Sequence, residues 1–334
     1  MQPLLPNRHP NYALFICDVL DAIPKDDMAS MEHPVFSLAT KPDMRHLLYE
    51  HNGNTIEISP SGYGLATIHD KDVLIYIVSQ LMAKMRDGQA PSKRVRITAH
   101  DLLISINRTT NNLGYERLKA ALDRLSGTRI KTNIKTGGVR VIENFGLLDA
   151  YGIVEKSPTD GRMIGIEIVL SDWLYNAVCA HEVLTLHQDY FRLRKPLERR
   201  IYELARKHCG TDNNKWTIGL ETLKRKIGTT APLKKFRFNV KKLVESDHLP
   251  DYRVSFSNDL VTFTSRRTPA NDRNGRLPLL MPETFEKARR VAPGLDVYFL
   301  EREWREWSAD KAPARNPDAA FIAFCRRKYR KQAQ

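Results

Sequence analysis

A chain of 334 residues that is 42% hydrophobic and 28% charged has the composition of a globular protein, which excludes wholesale disorder and fibrous repeats and predicts two or three domains. Lys and Arg number 53 against 39 Asp and Glu, a formal charge of +14, so a polyanionic partner is expected: nucleic acid first, an anionic membrane surface second. No stretch approaches the roughly 18 apolar residues of a membrane span, and the start MQPLLPNRHPNYALF lacks the pattern of a signal peptide. A cytoplasmic protein without a membrane partner is therefore expected. Cys17, Cys179, Cys209 and Cys325 are scattered, so reduced, buried thiols are expected and no zinc site.

In the N-terminal region, Phe36–Ala39, Arg45–Tyr49 and Thr55–Ser59 predict short strands around Asn52-Gly53. They are read as a β-rich extension, residues 1–65, packed on the first of the larger modules. Residues 1–90 carry 7 basic and 11 acidic groups.

The sign then reverses, with 11 basic and 5 acidic groups over 91–150. Leu74, Ile77, Val78, Leu81 and Met85 recur at helical spacing after Asp70, predicting a helix over 70–86. A loop with Gly88 and Pro91 comes next. Thr98 and Asp101 have the spacing of a capping box opening a second helix through Leu102, Leu103 and Ile106. After the turn Asn107–Thr110, a third helix places Leu118, Ala121, Leu122 and Leu125 on one face and ends at Gly127. Arg129 to Lys135 alternates, turns at Gly137-Gly138 and returns through Val139 to Phe145, a β-hairpin.

Residues 151–190 are acidic, with 2 basic and 6 acidic groups, and 191–267 are strongly basic, with 19 and 8. Pro196 suits the first position of a helix with Leu197, Ile201, Leu204, Ala205 and His208 on its apolar face, stopped by Gly210. Trp216 and Ile218 precede a short helix carrying Leu220, Leu223 and Ile227, closed by Gly228. A third helix, 231–246, turns Leu233, Phe236, Val240, Leu243 and Val244 inward. Tyr252–Phe256 and Val261–Phe263 alternate around Ser257-Asn258-Asp259, a second hairpin. Helix, helix, helix, hairpin thus occurs twice, the order of a winged helix-turn-helix domain. The expected fold is α+β: a first winged-helix domain at 66–165 and a second at 166–267. Beyond them lie a linker at 268–282 and a small helical domain at 283–334, the latter with Val297, Leu300, Trp304 and Trp307 on one core face and Phe321, Phe324 and Cys325 on another.

In such a domain the third helix enters the major groove and the hairpin reaches the backbone or the adjacent minor groove. The face opposite Leu118 and Leu122 holds Asn112, Glu116 and Lys119, with Tyr115 beside it. Asn pairs with adenine and Glu accepts from cytosine, so this face is equipped to read bases. Arg129, Lys131, Asn133 and Lys135 point to one side of the first hairpin while Ile130 and Ile134 face the core. A charged outer strand face also serves to discourage edge pairing. In the second unit Lys234, Arg237 and Lys241 share a face, flanked by Lys235 and Lys242, with Glu245 the only acid on that helix face. Solubility alone usually interleaves both signs, so this face is expected to meet phosphate.

No enzymatic constellation is present in the sequence. His181-Glu182 and His187 depart from zinc-protease spacing, there is no GxxxxGK[ST] loop, and no pair of histidines is separated by a single residue. No cofactor, metal or catalytic residue is expected.

Several stretches resemble the replication initiator protein A family of proteobacterial plasmids. They are Ile68–Tyr76, Tyr115–Leu125, Leu170–Tyr175, Pro196–Ala205, Pro293–Tyr298 and Asn316–Phe321. The resemblance implies a protein that binds direct repeats at a plasmid origin on double-stranded DNA. It further implies recruitment of host replication proteins, such as a helicase or an initiator, and repression of its own gene as a homodimer. Two alternatives remain open: a tandem winged-helix transcriptional repressor without a replication role, and a Tyr-dependent DNA-nicking enzyme.

Overall fold

The computed structural model describes residues 4–9, 34–51, 54–86, 89–132, 135–136, 139–140, 143–179, 186–209, 214–266, 280, 282–292, 295, 297–308, 314 and 316–332. Cys17, Asn52, Gly53, Gly88, Asn133, Ile134, Gly137, Gly138, Gly210 and nearly all of the expected linker lie outside them.

Period-two alternation forms β1 (Leu47–His51) and β2 (Asn54–Ser59), antiparallel with Leu47 opposite Ile58. Phe36–Ala39 is not a strand; Ser37 makes only an isolated bridge to Thr67. Helix α1 (Lys71–Arg86) buries Leu74, Ile77, Val78 and Leu81 as expected, and also Val73, Ile75 and Tyr76. Its first half is thus enclosed on more than one side.

The loop expected before the second helix contains a strand, β3 (Arg94–Thr98), with Val95 and Ile97 inward. Thr98 closes that strand opposite Gly165 and caps α2 (Ala99–Ser105), but its side chain makes no capping bond. The expected capping box therefore does not form. Helix α3 (Asn112–Gly127) is capped by Asn111, whose Oδ1 accepts from the Gly114 amide at 3.1 Å.

The first hairpin consists of β4 (Arg129–Thr132), β5 (Lys135–Thr136), β6 (Val139–Arg140) and β7 (Glu143–Gly146). β4 pairs β7 and β5 pairs β6, while β2 also pairs β4 with Ile58 opposite Ile130. The N-terminal strands and the outer strands of this hairpin are one sheet, ordered β1-β2-β4-β7, while β5 and β6 form a separate two-stranded sheet. A further hairpin, β8 (Leu148–Lys156) and β9 (Met163–Leu170), joins β3 in the order β3-β9-β8. The boundary expected between 165 and 166 falls inside β9, which is paired on both sides.

After α4 (Asp172–Cys179) and a 3-10 turn at Gln188–Arg192, α5 (Pro196–His208) starts on its proline. Glu198 to Ala205 are all buried, so α5 is a central helix rather than a one-sided one. Then come β10 (Lys215–Gly219), α6 (Leu220–Ile227), α7 (Leu233–Ser246), β11 (Tyr252–Ser257) and β12 (Leu260–Ser265). Their sheet is ordered β10-β12-β11. Asn258 and Asp259, at φ 50° and 54°, make the tight turn between the last two strands. Helix, strand, helix, helix and hairpin thus occur twice, each time with the hairpin's second strand between its partner and the early strand. In the first occurrence the hairpin completing that sheet is β8–β9, not the one expected at 129–145.

One apolar core runs from Phe36 to Phe263 through both units. Three consecutive side chains at the start of α1 cross it. Asp70 accepts from Arg124 of α3 at 2.7 Å through both of its oxygens. Lys71 pairs with Glu203 of α5 at 3.1 Å. Asp72 accepts from Arg199 of α5 at 2.5 Å and from Arg108 at 2.7 Å. Arg199 also donates to the Leu193 and Phe191 carbonyls at 3.0 and 3.2 Å and lies over the Tyr190 ring. Every one of these groups except Arg108 and Arg124 is buried. Burial, with Arg199 and Arg108 nearby, pulls His69 down to about 2, so its imidazole is neutral throughout the physiological range.

A separate core joins α8 (Pro282–Val291), α9 (Val297–Ser308) and α10 (Pro317–Gln332) through Phe285, Leu300, Trp304 and Phe321. Trp304 is 2% exposed, whereas Trp307 is 46% exposed, with the Arg327 guanidinium 4.9 Å from its ring centre. Trp307 is thus not the core residue its spacing suggested. Cys209 and Cys325 are buried, with thiols pushed up by burial to about 11 and about 12, while Cys179 is exposed, against expectation.

Removing the Asp72 carboxylate would leave Arg199 charged and buried with its counter-ion gone, so Asp72→Ala is expected to lower stability by about 3–5 kcal/mol. Urea unfolding measures this, and a loss below about 1 kcal/mol would contradict the assignment. Gly114→Ala tests the turn before α3. Ala favours a helix by about 1 kcal/mol, but its Cβ would stand 1.8 Å from the Thr109 carbonyl oxygen. A net loss of about 1–3 kcal/mol is expected in thermal melting, and a gain would show that this turn relaxes freely.

Candidate nucleic-acid interface

Helix α7 is built on a one-sided apolar stripe. Phe236, Val240 and Leu243 are buried, with Leu233 and Val244 partly so against the same core. The 3.6-residue repeat then turns Lys234, Lys235, Lys241 and Lys242 to the outside, where all four are exposed. Among the described residues none of the four makes a salt bridge. Glu245 shares the exposed side near the C-terminal end of the helix.

Arg237 differs from its neighbours. Its Nε and Nη2 donate to the two carboxylate oxygens of Asp259 at 3.0 and 2.8 Å, a bidentate pair. The bond from Arg237 holds the Asp259 carboxyl below its ordinary value. Asp259 sits at the tip of the β11–β12 turn, so the pair ties the hairpin to the helix. In the sequence Glu245 is the one acid near this face; the fold brings a second, Asp259, from 22 residues away.

The aromatic residue Phe238 was not anticipated. It is 48% exposed, and the ammonium groups of Lys242 and Lys235 lie 4.8 and 5.2 Å from its ring centre. Its position opposite the apolar stripe was readable from helical spacing.

Helix α3 presents a different surface. Asn112, Glu116 and Lys119 are exposed, as their spacing required, together with Leu113. Tyr115 is buried, with the Arg162 guanidinium 5.7 Å from its ring centre. It therefore belongs to the core side and not to the exposed face, because it lies three residues before Leu118 on the same stripe.

Arg129 and Lys131 project from β4, exposed and alternating with buried Ile130. Both have partners within their sheet: Arg129 donates to the Asn144 carbonyl at 2.8 Å, and Lys131 lies 3.7 Å from Glu57. Lys135 is a residue of β5, paired opposite Arg140, and its side chain lies outside the described residues. The structure therefore places Asn112, Glu116 and Lys119 on the outer face of α3, Lys234, Lys235, Lys241 and Lys242 on that of α7, Arg129 and Lys131 on the β1-β2-β4-β7 sheet, Lys135 on the separate β5-β6 pair, and Tyr115 in the core. Lys156, the last residue of β8, and Arg162, just before β9, are exposed and unforeseen basic residues at the tip of the hairpin that completes the first repeat.

Among the described residues no group of three or more His, Cys, Asp or Glu could hold a metal ion, and no helix is long and apolar enough to cross a membrane.

A family model described as Replication initiator protein A matches residues 25–254. A curated chain from Wigglesworthia glossinidia brevipalpis, whose name is that of a replication protein, is 40% identical over 247 residues, spanning 72% of this chain and 89% of the relative. The crystal structure of domains 2 and 3 of RctB superposes with a TM-score of 0.50 at 11% identity, covering 70% of this chain and 96% of that one. That likeness concerns the fold alone. The Pi initiator protein in complex with iteron DNA is more distant, at a TM-score of 0.42 and 15% identity over 61% of this chain and 92% of that one, too remote to carry weight. With a family model matching well over half of its length and a relative so similar over most of it, the chain belongs to the Replication initiator protein A family.

Proposed function

We propose that this replication initiator binds direct repeats in double-stranded origin DNA through two winged helix-turn-helix units, with α3 and α7 as their recognition helices. The observation that carries the reading is the outer face of α7, where four exposed lysines gather without a salt bridge among the described residues. Such a face repels itself unless a polyanion is present. The twice-repeated topology supports the division into units, with β8–β9 and β11–β12 as the wings. The proposed domains follow that repeat: a first unit from α1 to β9, a second from α5 to β12, and a helical C-terminal domain from α8 onward.

One monomer straddles the duplex with its two recognition helices in successive major grooves, about 10–10.5 bp apart, so that a recognition unit spans about 20 bp. Lys234, Lys235, Lys241 and Lys242 contact phosphates beside α7, while Asn112, Glu116 and Lys119 face base edges from α3. Arg129 and Lys131 form an auxiliary basic surface. Arg237 positions the second wing through Asp259. Recruitment of host replication proteins and repression of the protein's own gene as a homodimer are further parts of the proposal, resting on family membership.

A non-enzymatic role accords with membership of a replication initiator family. Tyr190 and Tyr202 are buried with phenols pushed well up, and burial takes Tyr252 to about 12, which suits none of the three to act as a nicking nucleophile.

Footprinting on the DNA flanking the gene tests the reading. An array of protected direct repeats of about 20 bp is expected, whereas a lone palindrome would favour a repressor. If about 6–10 phosphates are engaged, affinity for a single repeat should fall about 10³–10⁵-fold between 50 and 200 mM salt; a flat salt dependence would contradict the electrostatic model. The triple variant Lys234→Ala, Lys241→Ala, Lys242→Ala should reduce the exponent of salt dependence by about 3 while leaving the thermal unfolding midpoint unchanged. Wild-type affinity and exponent in that variant would locate the interface elsewhere.

A further inference from the structure

We infer that Phe238 reads a thymine methyl group on the floor of the major groove, an inference that rests on the DNA-binding role of α7. Phe238 is two residues from both Phe236 and Val240, which are buried, and so lies ~200° around the helix from each. It occupies the crest of the outer face. Lys234 and Lys241 stand on one side of it, Lys235 and Lys242 on the other.

A single exposed apolar residue on a protein surface is ordinary. This one sits at the point of the helix farthest from the core, with exposed lysines on both of its flanks and the ammonium groups of two of them close to its ring. A polyanion drawn to those cations meets the phenyl ring first. Lys235 and Lys242, at 5.2 and 4.8 Å from the ring centre, brace it from both helical turns. Both side chains are exposed, so their ammonium groups remain available to phosphates.

Groove dimensions choose the site. A helix about 10–12 Å across enters the major groove, about 12 Å wide, and not the minor groove of about 6 Å. Apolar side chains that wedge between base steps do so from the minor groove, so a ring at the crest of α7 stays on the major-groove floor. It offers no hydrogen bond there. The one apolar group that the floor displays is the C5 methyl of thymine. Helix α3 exposes Leu113 as well, but beside the polar Asn112 and Glu116, which are suited to hydrogen-bonded readout. The two halves of a repeat are therefore read by different chemistry, and the methyl-dependent half is the one beneath α7.

The test uses the full chain and a duplex carrying one footprinted repeat, in which each thymine is replaced in turn by uracil, a change that removes only the methyl group. One or two adjacent positions in one half of the repeat should weaken wild-type binding about threefold to fivefold, the size set by burying one methyl group. In Phe238→Ala the same replacements should have no effect, while the salt dependence stays that of the wild type because the lysines remain. Phe238 is exposed, so its removal leaves the core intact, and an unchanged melting midpoint checks this. Binding of the wild type with no sensitive thymine, or equal sensitivity in Phe238→Ala, would overturn the inference and leave the DNA-binding role standing. Failure of the wild type to bind any duplex from the flanking DNA would overturn both.

Discussion

Two consecutive charged residues, Lys71 and Asp72, hold the two repeated units in one body, and Asp70 beside them ties the start of α1 to α3. Each reaches a different partner: Arg124 on α3, Glu203 on α5, and Arg199 with Arg108. Burying ions is costly, and the cost is offset only when every charge meets its counterpart in good geometry. Arg199 meets that condition through Asp72, two backbone carbonyls and the Tyr190 ring. A set of this kind tolerates one arrangement of α1, α3 and α5 and penalises others. It thereby fixes the orientation of a proposed recognition helix relative to the second unit, which an apolar interface alone would define less sharply. The N-terminal segment adds a strap: Leu5 bonds to Arg192 in both directions, and Arg8 and Pro6 bond to Asn107.

The two units share a topology and differ in surface. On α7 two of the exposed lysines bracket a phenyl ring, and the one arginine is tied to the β11–β12 hairpin. On α3 the exposed face mixes Asn112, Glu116 and Lys119, and the first hairpin is drawn into a sheet with the N-terminal strands. An initiator with one half tuned to phosphate attraction and the other to polar readout would hold its repeat in a single orientation. That matters for direct repeats, which define a direction along the DNA.

Helical and strand periodicity located most of the elements. Helices α1, α3, α5, α6 and α7 and the β11–β12 hairpin lie within a few residues of where the spacing put them, because each carries an apolar stripe at its own period, even in α1 and α5, which are enclosed on further sides. Strand β3 went unread: five residues with two inward side chains are too short a signal beside Gly88 and Pro91. Tyr115 was assigned to the wrong face because it borders the apolar stripe, and Trp307 because its spacing matched Trp304. Phe238 was legible as the residue opposite the stripe, yet the count of charges around it drew the reading to the lysines.

The sequence alone determined the repeated order of elements, the clustering of basic residues around the second unit, and the absence of an apolar run long enough to span a membrane. These follow from local periodicity and composition. Only the tertiary structure decided which hairpin completes the first sheet, that Arg237 is spent on Asp259, and that Asp72 meets Arg199 across 127 residues of chain. Periodicity tells which side of an element is buried but not what it is buried against, and a charged residue reads as solvent-facing until its partner arrives from elsewhere in the chain.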